Sequence, residues 1–357
     1  MMNDIQIRKV DSSYASDFVL LQNDIPIDPR YFVDKDSFAA ILNKRDSEFT
    51  RVSWMAYLGK EPVAFVTTSI DRLAPTVNEQ PVAFFTNFVS KNNAKAVDTL
   101  FKHIGEWCEN EDVKVLRGPM SSSLSDYRGI LVSGFDEPPC LGLFYNPDYY
   151  GTLLESSGLI KAMDLYSYRI ETGVLKKVSK VAKFARIRNP RLKIRNFDMN
   201  NIDNEIREVV SIYNKSWKGH WSFIPVDEGD FKAGIGNMNQ FFDPEMVKLA
   251  EIDGKMVGVM VSVPNMFDAN VINTGVPVYA RAMLFGVDSS YQRRGIDALL
   301  MDAAISMCKE KGVLEYEVGW VLESNVLWRK QLETACKDYL MGIRKYRMFE
   351  YHTDEKN

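Results

Sequence analysis

Residues 282–298 constrain this chain more than any other stretch. The run 282–287 is apolar, and Asp288-Ser289-Ser290-Tyr291-Gln292-Arg293-Arg294-Gly295 follows it as a basic turn with one glycine. Beyond the turn, the pattern predicts an amphipathic helix over 296–311. A strand that ends in such a turn and opens a helix builds an anion site. Backbone N–H groups and the positive end of the helix dipole converge on one spot, and two arginines add charge there. Asp297 cuts the other way. A carboxylate in the first turn suits the dipole, but it competes for the N–H groups and repels an anionic ligand.

Composition narrows the class. Of 357 residues, 46% are hydrophobic and 26% charged, as in a soluble globular chain, and the length suits two domains. The net charge of −4 argues against wholesale nucleic-acid binding and predicts no DNA partner. Cys108, Cys140, Cys308 and Cys336 lie far apart, without zinc-like spacing, so the expectation is reduced thiols and no metal site. No apolar run approaches the roughly 20 residues a membrane helix needs. With no basic N-terminal segment leading into an apolar core, a cytoplasmic location is expected.

Two stretches repeat one order of elements. The first has a strand over 5–10, a hairpin over 52–66 turning at Leu58-Gly59-Lys60-Glu61, a strand over 82–89 and a helix over 93–109. The second has a strand over 192–197, a helix over 202–213 and a hairpin over 247–261 turning at Ile252-Asp253-Gly254-Lys255. Strand 281–287 and helix 296–311 complete it. This divides the chain into 1–174, a connector over 175–191, and 192–357. In the connector Val178, Val181, Ala182 and Ala185 recur at helical spacing, and residues 176–195 hold nine basic side chains and no acidic one. Such a face is either solvated or a patch for a polyanion such as CoA, RNA or an anionic lipid surface.

Gln292, Arg294 and Gly295 match the acyl-CoA signature Q/R-x-x-G-x-G/A, and through it and the paired halves the chain resembles the GNAT N-acetyltransferase superfamily. The likeness extends to Asn214-Lys215-Ser216-Trp217 and to Trp320-Val321-Leu322-Glu323-Ser324-Asn325, in the manner of bacterial tandem GNAT-like proteins. It implies an α/β fold, a mixed sheet made of two tandem GNAT-like domains. It also implies that acetyl-CoA or another acyl-CoA lies along Phe285, Gly286 and Val287. The pyrophosphate would rest on Gln292, Arg293, Arg294, Gly295, Ile296, Asp297 and Ala298, with Asn325 and Trp328 on the arm opposite. Two positions depart from the pattern: Asp297 stands where Gly or Ala is usual, and Leu332 where a tyrosine acid is usual. The first half's equivalent turn, Ser90-Lys91-Asn92-Asn93, has neither glycine nor an arginine pair, which predicts a degenerate first domain.

Candidate chemistry in the second half is sparse. Tyr346 is a substitute acid by residue type, or a strand aromatic that only packs. Glu315 and Glu317 share one face of a strand, where Glu317 is a candidate base acting through water, or both form a solvated edge. Trp217, His220 and Trp221 crowd one segment and, with Trp320, suit the wall of a pocket for an apolar or ring-bearing acceptor, or else the core. The loops 117–129, 135–139 and 145–150 are expected to form a surface between the halves. The leading expectation is an acyl-CoA-dependent N-acyltransferase acting on a small-molecule amine from its second domain. The alternatives are a binding or regulatory protein that keeps the fold without turnover, and a transferase using aminoacyl-tRNA. The acidic overall charge weighs against the tRNA partner.

Overall fold

In a computed structural model the described residues are 4–43, 49–71, 81–120, 128–136, 139–140, 142–229, 231–232, 242–266 and 269–353. Residues 121–127 and 137–138 of the expected inter-half loops lie outside them.

The first-half strands are β1 (Ile5–Val10), β2 (Phe49–Leu58), β3 (Glu61–Asp71), β4 (Val82–Ser90), β5 (Val115–Gly118), β6 (Ile130–Ser133) and β7 (Ile160–Glu171). The second half adds β8 (Leu192–Asn196), β9 (Val247–Ile252), β10 (Lys255–Pro264), β11 (Tyr279–Val287), β12 (Glu315–Leu322) and β13 (Leu340–His352). All belong to one 13-stranded sheet in the order β1-β2-β3-β4-β5-β13-β7-β12-β11-β10-β9-β8, with β6 pairing β13. The mixed α/β sheet expected from the sequence is therefore present. Asp253 and Gly254 take φ of 52° and 79°, the two positive values that let a two-residue turn match strand twist.

The order of strands carries a feature no local pattern announces. The last strand, β13, inserts between β5 and β7 of the first half, and β7 in turn pairs with β12 of the second. The halves thus trade strands across the middle of the sheet.

Alternation along the strands sorts the core onto two faces. In the second half Ala250, Val257 and Met260 pack under the helix Ile296–Glu310, while Leu249, Met256 and Val259 pack under the helix Ile202–Trp217. The connector forms a helix, Leu175–Arg188, that lies on Ile296–Glu310 through buried Ala182 and Ala185. A separate apolar cluster joins the halves. It takes Phe84, Leu131 and Leu143 from the first, Ile224, Tyr279 and Tyr346 from the second, and half-buried Trp221 and Trp320.

Candidate active site

Two parallel strand pairs part midway, one in each half. β11 and β12 are in register from Tyr279–Glu315 to Ala282–Val318 and no further. At that point β11 gains a residue against β10, because Val261 faces Leu284 while Ser262 faces Ala282. The extra residue, Met283, raises the local twist and turns the strand aside. The result is a V-shaped splay with residues 283–287 on one wall and 319–322 on the other. β4 and β5 part in the same way after Phe84–Arg117.

The second splay opens onto the basic turn. Arg293 and Gly295, on either side of Arg294, both have positive φ, 62° and 83°, the kind of tight backbone path from which anion-binding nests are built. Gly295 caps the helix Ile296–Glu310 without any side-chain hydrogen bond, so the cap residue itself puts no competing acceptor on the first N–H groups of that helix. Asp297 sits in the first turn, and no cap bond is recorded for it among the described residues. Arg294 folds back to Ser290 O at 3.2 Å and over the Tyr291 ring at 5.0 Å. Arg293 is exposed, and no ion pair is recorded for it among the described residues. Gln292 donates to Val287 O at 3.2 Å and steadies the end of β11.

The first half's counterpart is chemically closed. Asn93 accepts from Ala96 N at 3.0 Å and caps the helix Ala94–Asn110, and Lys91 is held by Asp24 and Glu61. The end of β4 is filled as well: Ser90 N donates to the Tyr150 hydroxyl at 2.9 Å, and the Tyr149 hydroxyl donates to Ser90 O at 3.1 Å. Acceptors and donors that an extended ligand would use on β4 are already bonded to the protein.

Across the mouth of the second splay, Phe285 stacks on Trp328 with ring centroids 6.0 Å apart, and Asn325 caps the short helix Val326–Lys330 that presents Trp328. Trp217 lies against the outer wall, donating to Phe285 O at 3.3 Å, with His220 packed on its ring at 5.3 Å. Trp221 and Trp320 sit elsewhere, in the cluster between the halves. Arg117 covers the Trp221 ring at 4.5 Å and donates to Ser222 Oγ at 3.0 Å, while Arg281 covers the Trp320 ring at 4.6 Å. The four aromatic or histidine candidates therefore form two groups.

At the apex of the V lies a buried polar cluster. Glu317 is fully buried, opposite Arg281 in the strand register. It accepts from Arg344 Nη1 at 2.8 Å, from Ser167 Oγ at 2.8 Å and from the Tyr279 hydroxyl. Of the expected solvated edge only Glu315 keeps any exposure, and it pairs with Arg169. Burial would lower the pKa of Arg344, but the charge of Glu317 more than reverses that and holds the guanidinium charged. Tyr346 reaches the same cluster. Its ring meets Trp320 edge-on at 6.4 Å, and burial raises its pKa well above 10.0. Tyr346 Oη, Trp320 Nε1 and, beside Gly286, Ser216 Oγ are buried with no hydrogen-bond partner among the described residues. Leu332, in the position where the resemblance expects an acid, is packed in the core.

The structure thus brings Glu317, Tyr346 and Trp320 together. It sets Phe285, Trp328, Asn325 and Trp217 around the mouth, and Gln292 to Ala298 at the turn. Sequence reasoning missed Arg281, Arg344, Ser167 and Tyr279. The one available signal was an arginine, Arg281, inside an otherwise apolar run. Among the described residues no group of His, Cys, Asp and Glu is arranged to hold a metal.

Comparisons with known proteins agree with this fold. Residues 206–326 match the family model described as Acetyltransferase (GNAT) family. The chain is 28% identical over 295 residues to the bacterial ceramide synthase of Caulobacter vibrioides (strain NA1000 / CB15N), covering 76% of this chain and 77% of that protein. It is 24% identical over 345 residues to Protein YghO of Escherichia coli (strain K12), covering 90% and 87%. Among solved structures, a tandem GNAT protein from the clavulanic acid biosynthesis pathway superposes with a TM-score of 0.57 at 10% identity, covering 99% of this chain and all of that one, 100%. That last likeness concerns the fold: two GNAT units in one chain.

Proposed function

We propose that this chain, which carries a GNAT acetyltransferase domain within a tandem GNAT fold, transfers an acyl group from acyl-CoA to an amine in the splay between β11 and β12. The observation that carries the proposal is the contrast between the two halves. Among the described residues, the second half has a helix N-terminus with no side-chain cap, a turn with two positive-φ residues and no ion pair on Arg293 at the mouth of its splay, whereas Asn93, Tyr149 and Tyr150 close the first. Acyl-CoA supplies a thioester, whose carbonyl carbon gains a C–N bond to the amine as its C–S bond breaks.

The chain's own groups do the rest. The turn from Gln292 to Ala298 holds the pyrophosphate, and backbone N–H groups of β11 beyond Ala282 stabilise the developing oxyanion. Phe285 and Trp328 fix the thioester arm, so much of the rate comes from positioning. Glu317, held in place by the bond from Arg344, takes the proton the amine loses through water, and the Tyr346 hydroxyl gives one to the departing thiolate. Trp217 and His220 guide the acceptor in, and Trp221 and Trp320 line its far end. A ceramide is the amide of a long-chain amino alcohol. The relative of that name and the apolar cluster between the halves together support a long-chain amine as acceptor.

Thermal melting with CoA is the first test. A ligand that binds only the folded state adds about 2.7 kcal/mol at a hundred times its dissociation constant. A rise in melting temperature is expected, lost in Arg293→Glu, and no rise at millimolar CoA would refute the proposal. Mass-spectrometric detection of the amide from a long-chain amino alcohol and an acyl-CoA tests turnover. Binding without product would favour instead the non-catalytic binding protein that Asp297 admits.

A further inference from the structure

The connector helix Leu175–Arg188 has an inner face that is complete. Ala182 and Ala185 are buried against Ile296–Glu310, Ser179 Oγ donates to Asp302 Oδ1 at 2.5 Å, and Asn189 Nδ2 donates to Arg294 O at 2.9 Å. The outer face is not what a solvated connector needs. Val181, Phe184 and Ile187 are 57%, 67% and 70% exposed, one helical turn apart, a run of large apolar groups that packing within the chain does not use. Lys176, Lys180, Lys183, Arg186 and Arg188 are exposed around them, and no ion pair is recorded for any of these five among the described residues. At the C-terminal end of the helix the surface continues into a cleft of about 590 Å³ lined by Arg188, Arg191, Asp253, Lys255, Tyr291 and Arg294, where Arg191 is paired with Asp253 at 2.7 Å and Arg188, Lys255 and Arg294 leave a basic excess.

We propose that this face is a docking surface for an anionic lipid bilayer. Phe184 and Ile187 would enter the boundary between headgroups and acyl chains, and the lysines on either side would reach the phosphates with their stems along the apolar stripe. Charge decides between occupants. A second copy of the chain would bring the same unneutralised cations against themselves, since residues 176–195 contain no acidic side chain. An anionic surface complements them. The helix also touches the basic turn directly: an added Cβ at Gly295 would lie 2.6 Å from the Ala185 Cβ. A docked protein would therefore hold that turn close to the membrane plane. The inference concerns binding alone and stands whether or not transfer occurs.

Flotation of the full chain with vesicles tests it. Phosphatidylcholine vesicles containing phosphatidylglycerol should retain the protein, pure phosphatidylcholine vesicles should retain little, and raised salt should release it. A membrane-facing lysine contributes about a fivefold factor, so Lys180→Gln with Lys183→Gln should weaken partitioning about 30-fold. Phe184→Ser with Ile187→Ser should weaken binding to the same vesicles while leaving the melting temperature and its CoA shift unchanged. Equal retention by neutral and anionic vesicles, or by parent and lysine variant, would overturn the proposal. So would a parent dimer that Phe184→Ser with Ile187→Ser turns into a monomer by light scattering, because a second copy would then own the face.

Discussion

Gly295→Ala should weaken both the fold and the anion site, by an amount the structure allows to be divided. The residue has φ of 83°, where an L side chain costs about 1–2 kcal/mol. Its new Cβ would also lie 2.6 Å from the Cβ of Ala185, and overpacking of this kind costs about 1–3 kcal/mol. The expected loss is about 2–5 kcal/mol in chemical denaturation. The second part is separable. Ala185→Gly alone should cost about 0.5–1 kcal/mol for glycine inside a helix. Combined with Gly295→Ala it removes the overlap, so the double variant should be more stable than the sum of the singles by about 1–3 kcal/mol. The CoA-dependent rise in melting temperature should shrink in Gly295→Ala and return in part in the double variant. Additivity within about 0.5 kcal/mol, or an unperturbed Gly295→Ala, would refute the contact between connector and turn.

The buried pair invites a similar cycle: Glu317→Leu strands Arg344 and should cost about 3–5 kcal/mol, most of it recovered in the double variant with Arg344→Met. A double variant as unstable as the summed singles would show that the pair is not coupled. For Asp164, burial alone would raise the pKa, but hydrogen bonds from Arg347 and Lys161, with their charges, carry it below its ordinary 3.8. Its contribution is complete above the unfolded value, about 3.9, and is lost as pH falls through the lower folded one, so acid melts of Asp164→Asn should fall less steeply below about pH 4 than those of the parent. Burial pushes the Cys108 and Cys308 thiols up to about 12, and Cys140 is buried too; half-buried Cys336 should therefore be the first to react with a thiol reagent in the native protein, which peptide mapping would show.

What the sequence disclosed was local. Asp253-Gly254 marked its hairpin because only a few residues tolerate two positive φ values in succession, and Gln292 to Gly295 marked the turn because strand, loop and helix are contiguous there. The helix expected over 202–213 continues to Trp217, since Ile212 and Tyr213 still bury a face and nothing caps the chain earlier. What stayed hidden depends on partners far away in the chain. Glu317 looks like half of a solvated pair until Arg344, Ser167 and Tyr279 converge on it from three other strands. The closure of the first splay by Tyr149 and Tyr150 was equally invisible, because those tyrosines lie some sixty positions from Ser90, 59 and 60 residues along the chain. The turn's missing glycine hinted at loss of a phosphate site, but not at what fills the space.

The place of β13 also bears on how the chain is made. This strand is translated after every other described strand, yet it occupies the middle of the sheet, between β5 and β7. Until it leaves the ribosome, β5 and β7 each carry an open edge, the kind of surface that recruits stray strands. The first half, although synthesised early, must wait for residues 340–352 before its sheet can close, and chaperone protection during that interval would matter more here than for a protein whose domains finish in turn.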